Sequence, residues 1–202
     1  MKENVEQFVM AYGADQDRIR AIIPDGFTSL RPVLRINTEI RDDKVLYVEF
    51  NTPVEAHGKR GWLNIANWNS VSDDISFKRI GKKVVISSDF LELEYEGTGA
   101  VGGCPAEKDN DGCFFMGPSL EFIPAEKITE NKEFCNCSFK WKFNEGDAHG
   151  ESLGKTLPAY YREASHEYER AEFTAENAAG IFCEKVLGAY IVRFVRDSGS
   201  LG

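Results

Sequence analysis

The stretch that decides the fold runs from Val45 to Lys83. Residues 45–68 read V-L-Y-V-E-F-N-T-P-V-E-A-H-G-K-R-G-W-L-N-I-A-N-W, and the run continues to K-R-I-G-K-K at 78–83. It reads as two strands and a turn: Val45–Phe50, a break over Pro53–Gly61, then Trp62–Trp68. Strand alternation puts Leu46, Val48 and Phe50 on one face and Val45, Tyr47 and Glu49 on the other. Glu49 is therefore a carboxylate that points where Tyr47 points, and its surroundings decide whether it is ordinary or functional.

Working upstream, Leu30–Ile40 alternates Val33, Arg35 and Asn37 against Leu34, Ile36 and Thr38. Asp42-Asp43 supplies a turn, so this run and Val45–Phe50 read as a hairpin. The pairing brings the Arg35–Asn37 face opposite Tyr47 and Glu49, and a buried carboxylate needs such a partner. Further back, Asp15 is an N-cap for a helix over Gln16–Ile23, stopped by Pro24-Asp25-Gly26. Val5–Tyr12 fits helix or strand.

Working downstream, Ile75–Val85 has no clear period. Asp89–Tyr95 alternates, and Gly97–Gly103 is a glycine-rich break. Cys113–Met116 and Leu120–Ile123 read as strands. Phe134–Phe143 alternates, with Cys135, Cys137, Phe139 and Trp141 on its apolar face. Residues 144–158 are loop-like, and 158–173 fit helix or strand. A helix capped by Thr174 spans Ala175–Val186, and Tyr190–Val195 is a closing strand before a frayed tail. Strands dominate. The expected class is α+β, mostly β: a closed antiparallel or mixed β-barrel with a few peripheral helices.

The 202 residues, 42% apolar and 28% charged, suit one globular domain over 1–202. A net charge of −9 argues against nucleic acid or an anionic membrane as partner. No apolar run reaches the roughly 18 residues of a membrane span. Glu3 and Glu6 interrupt the start, so no secretory signal is expected, and cytoplasm is the expected location. Five cysteines, an odd number, then read as reduced thiols.

Several patterns have ordinary explanations. Gly97-Thr98-Gly99-Ala100-Val101-Gly102 matches G-x-G-x-x-G, but Gly103-Cys104-Pro105 opens no helix, so a turn is expected and no cofactor. Cys104, Cys113, Cys135 and Cys137, with His149, match no standard zinc spacing, and no metal is expected. His57, His149 and His166 with Ser152 or Ser165 lack a nucleophile elbow. The polar-aromatic patch from Tyr160 to Arg170 reads as a solvated face. Lys82-Lys83 is the one pair whose spacing suggests chemistry, although Lys-Lys taken alone is commonly an exposed turn. Two crowded ammonium groups repel, and a desolvated one loses its proton and attacks ketones.

The runs Ala11-Tyr12-Gly13-Ala14-Asp15, Ile22-Ile23-Pro24-Asp25-Gly26 and Arg31-Pro32-Val33-Leu34-Arg35-Ile36 resemble the start of the acetoacetate decarboxylase family. So does the sequel Tyr47-Val48-Glu49, Pro53-Val54 and Gly58-Lys59-Arg60-Gly61-Trp62. The resemblance implies a closed β-barrel in a homo-oligomer. It implies a small keto acid or carbonyl compound as ligand, held in the barrel interior, and a lysine Schiff base as mechanism. Glu49 falls on the family's Tyr-x-Glu carboxylate. The family's other site carboxylate falls near Asn37, so that acid is lost unless Glu39 replaces it. The arginine expected before the first motif is replaced by Asn4, Val5 and Glu6, and no proline precedes Lys82-Lys83. The expected site thus has Lys82 as nucleophile, Lys83 lowering its pKa, Glu49 as acid or base, and Asn37, Arg35 and Tyr47 binding substrate. A non-catalytic barrel that binds a small molecule is the alternative.

Overall fold

The computed structural model describes residues 2–89, 91–102, 113–116, 121–124, 128–142, 181 and 184–197. In chain order the elements are β1 (Lys2–Gly13), α1 (Gln16–Ile22), β2 (Thr28–Ser29), β3 (Val33–Arg41), β4 (Val45–Ala56), β5 (Lys59–Asn69) and β6 (Ile75–Ile80). There follow β7 (Lys83–Ser88), β8 (Leu91–Gly102), β9 (Cys113–Met116), β10 (Glu121–Pro124), β11 (Lys132–Trp141) and β12 (Lys185–Asp197). All twelve strands join one sheet in the order β10-β9-β5-β4-β3-β1-β12-β11-β8-β7-β6, with β2 added beside β4. Every described pairing is antiparallel except β5 with β9.

The hairpin expected around Asp42-Asp43 is present. Both aspartates have positive φ (48° and 55°), a conformation short polar side chains tolerate. Asp42 Oδ1 accepts from the backbone and side-chain amides of Asn4, which ties the turn to β1. α1 begins as expected: Asp15 accepts from the backbone of Asp17 and Arg18, and Ile19, Ala21 and Ile22 are buried.

Apolar alternation builds the main core. Phe8, Met10 and Tyr12 of β1, Leu34 and Ile36 of β3, and Leu46, Val48 and Phe50 of β4 share it with Leu91, Leu93 and Tyr95 of β8. Fully burying one such side chain stabilises by roughly 1.5–3 kcal/mol. The core also records how far the sheet curls. β4 and β11 are four strands apart, about 19 Å on a flat sheet. Yet the rings of Phe50 and Phe139 lie 5.9 Å apart, and Tyr12 stacks on Phe139 at 5.3 Å. This face is concave.

The curl does not close. β10 and β6 are the two ends of the hydrogen-bonded path, and among the described residues no ladder joins them. The architecture is a curled half-barrel, which corrects the expected closed barrel. Side chains hold the β6 edge instead: Arg79 bonds Glu6 of β1 at 2.7 Å and Asp43 of the β3–β4 turn at 2.9 Å. Among the described residues α1 is the one helix, so the few peripheral helices reduce to this short segment there. No helix of the described residues is long and apolar enough to cross a membrane.

Local expectations needed three corrections. The break over Pro53–Gly61 is confined to His57-Gly58, both at positive φ; β4 carries Pro53 in register with Trp62. A register shift at Phe50/Asn51 precedes the proline, a setting in which sheets accept one. Gly97–Gly102 is no break, because β8 continues through it, and Gly103 lies outside the described residues. A Cβ at Gly97 would meet the carboxylate end of the flexible Glu133 side chain, which would have to shift. Ile75–Val85, without a clear period, is the β6–β7 hairpin turning at Gly81-Lys82. The helix expected over Ala175–Val186 lies mostly outside the described residues, and its last two residues, Lys185 and Val186, belong to strand β12 instead. The patch at 160–170, Cys104, His149 and His166 fall outside the described residues.

Candidate functional site

Glu49 lies on the face of β4 turned away from the main core, and is 7% exposed. Four donors converge on its carboxylate. Asn37 Nδ2 donates to Oε1 at 2.9 Å and Asn51 Nδ2 to the same oxygen at 3.2 Å. Tyr47 Oη donates to Oε2 at 2.9 Å, and Asn64 Nδ2 to that oxygen at 3.4 Å. Asn67 donates to Asn64 Oδ1 at 3.0 Å and steadies it. No lysine or arginine is among these partners. Backbone register makes the cluster: Asn37 pairs with Glu49, and Asn51 with Asn64. Burial, then the neighbouring Glu49 charge, push the Tyr47 phenol well above its ordinary pKa, so it stays a donor.

Arg35 lies one same-face step from Asn37 and is 7% exposed. Its guanidinium stacks over Trp62 at 5.1 Å, and Nη2 reaches Tyr190 Oη at 3.4 Å. The expected partnership of Glu49 with Asn37 is thus present, whereas Arg35 forms no ion pair with Glu49.

Glu39 is occupied differently. Arg196 grips it with two bonds of 3.0 and 2.8 Å, and Arg41 Nε adds one of 2.8 Å. Burial pushes its pKa up, but the bonds and charges of Arg196 and Arg41 outweigh burial and hold it below the ordinary value. A carboxylate so neutralised is a structural ion pair, not a substitute for the acid absent at Asn37.

The lysines stand elsewhere. Lys82 is exposed on the β6–β7 turn, at a hollow of about 280 Å³ that also has Phe8, Val84, Gly97, Glu133 and Arg193 in its wall. Phe8 and Val84 belong to the main core, so Lys82 and Glu49 serve opposite faces of the sheet. Lys83 turns to Glu94 at 2.7 Å, and that carboxylate raises its pKa. The expected geometry of a lysine pair crowding Glu49 is therefore not the one observed; the two-residue turn sends Lys83 to Glu94 and leaves Lys82 at the hollow. Cys135 and Cys137 are half-buried and pack against the core. Among the described residues no cluster of His, Cys, Asp and Glu could hold a metal.

Sequence reasoning missed Asn51, Asn64, Asn67, Trp62, Tyr190 and Arg196. Asn51 was accessible by period two from Glu49. Asn64 and Asn67 were not, because the register shift between β4 and β5 breaks simple alternation.

No family model matches this chain, and none of the curated proteins matches it in sequence. Solved structures do match it. Acetoacetate decarboxylase from Legionella pneumophila has a TM-score of 0.58 at 11% identity, covering 96% of this chain and 83% of that one. An acetoacetate decarboxylase-like enzyme from Sphingomonas wittichii RW1 has 0.55 at 9%, covering 96% and 88%. The enduracididine biosynthesis enzyme MppR, in a complex with pyruvate, has 0.52 at 11%, covering 96% and 85%. The likeness at these identities is one of fold. This chain has the acetoacetate decarboxylase-like fold in a divergent form, in line with the resemblance seen in its sequence.

Proposed function

We propose that the Glu49 face binds a small keto acid, with Glu49 as the group that exchanges a proton with it or positions it. The observation that carries this reading is a buried carboxylate, two residues from a half-buried tyrosine on the same strand face, held by neutral donors alone. A purely structural carboxylate in so dry a place is better served by a cation, as Glu39 is by Arg196. The shared fold of MppR, solved with pyruvate, supports the ligand class. The test is titration of the ¹⁵N-labelled protein with pyruvate and with acetoacetate. Saturable shifts of the Asn37, Asn51 and Asn64 side-chain amides are expected. Shifts confined to other residues, or none, would remove the reading.

A second reading keeps Lys82 as the amine of a decarboxylase, and the apolar wall of its hollow, Phe8 and Val84, favours it. Lys82 Nζ would attack the ketone carbon and water would leave, giving an iminium. Loss of carbon dioxide would then pass its electron pair into the iminium, and protonation and hydrolysis would free the ketone and the lysine. Borohydride with acetoacetate should trap an adduct on Lys82 that Lys82→Ala abolishes. Failure to trap any adduct leaves non-covalent binding at Glu49 as the function.

A further inference from the structure

We propose that Arg35 is the anchor for the ligand's carboxylate, so that the site selects small keto acids over uncharged ketones and esters. The proposal rests on the reading of the Glu49 face as a ligand site and adds the group that decides which ligands enter.

Three charged side chains are buried together on this face: Glu39 at 4%, Glu49 at 7% and Arg35 at 7% exposure. The protein satisfies two of them itself. Glu39 has Arg196 and Arg41, and Glu49 has three amides and a phenol. Arg35 is left with a long contact to the Tyr190 hydroxyl and the face of Trp62. No carboxylate lies within ion-pairing distance of it among the described residues. A guanidinium carries five N–H donors in a fork that fits a carboxylate. Burying it without an anion is expensive, and an aromatic face offsets only part of the cost.

Two further atoms beside it lack partners. Trp62 Nε1, fully buried under the guanidinium, has no acceptor, and Asn37 Oδ1 has no donor. Arg35 and Asn37 are successive same-face residues of β3, about 7 Å apart. Unused donors at Arg35 and Trp62 thus stand roughly one small molecule away from the Glu49 carboxylate. Charge then fixes the ligand's orientation. Glu49 repels an acid group and Arg35 attracts it, so the carboxylate lies at Arg35 and the ketone end lies toward Glu49.

The experiment compares pyruvate with methyl pyruvate, and acetoacetate with methyl acetoacetate, on the full chain. Binding is measured by calorimetry for the wild type, Arg35→Met and Arg35→Lys. Wild type should bind each acid about 10- to 100-fold more tightly than its ester, the range of one charge-assisted hydrogen-bond set. Arg35→Met should erase that preference, and Arg35→Lys should restore part of it. In the wild type, pyruvate should also shift the Arg35 Nε–H resonance and methyl pyruvate should not, a readout that needs no variant to fold. Equal affinity for acids and esters, a preference that survives Arg35→Met, or an unmoved Arg35 resonance under saturating acid would overturn the proposal while leaving a ligand site at Glu49. If neither acids nor esters bind, the reading of the face as a ligand site fails and the anchor fails with it.

Discussion

Asn37 of β3 and Glu49 of β4 face one another in register, and the amide of the first donates to the carboxylate of the second at 2.9 Å. The contact is a cross-strand pair on the face opposite the main core, so the hairpin alone is enough to form it. What it leaves open is the rest of the carboxylate, which Tyr47, Asn51 and Asn64 complete. Removing the acceptor therefore strands several donors at once.

Glu49→Ala should destabilise the fold by about 3 kcal/mol, since buried donors left without an acceptor cost about 1–3 kcal/mol each and relaxation recovers part. Glu49→Gln keeps one acceptor oxygen and should cost less. Urea denaturation of both variants measures this. Equal stability of Glu49→Ala and the wild type would mean that the carboxylate cage contributes nothing.

Glu39 should make stability sensitive to acid. Its folded pKa lies below the ordinary 4.5, so its contribution is complete above that value and is lost as pH falls through the folded pKa. Arg196→Met should cost about 3 kcal/mol at neutral pH by leaving a buried carboxylate with Arg41 alone. With the main compensating cation gone, burial dominates, and the variant should lose less on acidification than the wild type. Denaturation midpoints from pH 7 down to pH 3 decide the sign, and parallel curves would contradict the assignment.

Glu6 should hold the free edge of the half-barrel. It accepts from Arg79 at 2.7 Å and from Arg193 at 2.8 Å, and Arg79 also reaches Asp43. Both arginines are substantially exposed, so screening keeps Arg79→Ala within about 1 kcal/mol. Glu6→Gln removes the shared anion. It should speed hydrogen exchange in the β6 amides, more at low salt than at high salt, while β3 and β4 exchange as before. Unchanged exchange in β6 would show that the edge is held by packing alone.

Lys83 should be a poor nucleophile because of Glu94. The carboxylate raises the amine's pKa through a 2.7 Å bond and its charge. Glu94→Gln should therefore accelerate acetylation of Lys83 near pH 8, read residue by residue by mass spectrometry, with Lys78 as internal reference. A Lys83 rate unaffected by the substitution would leave the ion pair without consequence in solution.

Much of the fold was readable in local pattern. Period-two runs gave β3, β4 and β11 their faces, the paired aspartates marked a turn, and Asp15 marked the start of α1. Tyr47, Glu49, Asn37 and Arg35 could be placed on one surface because a hairpin transmits side-chain alternation directly across its two strands. Pro53 and the glycines after Tyr95 misled for one reason: residues that usually end strands are also tolerated where a strand bulges or another side chain approaches closely, and that depends on the neighbour. Ile75–Val85 resisted reading because four of the six residues of β6 are exposed on an edge, so little apolar pattern is imposed on it.

By itself, then, the sequence determined a strand-rich chain, the central hairpin and the polar surface that hairpin carries. These follow from backbone geometry acting over a few residues. The tertiary structure alone decided that the sheet curls without closing and that Lys82 and Glu49 lie on opposite faces. It also decided that Arg196, 157 residues away, neutralises Glu39 while Arg35 keeps most of its donors unused. Curl, closure and charge pairing depend on which distant strands meet and in what register. Their energies are sums over contacts that no local spacing encodes.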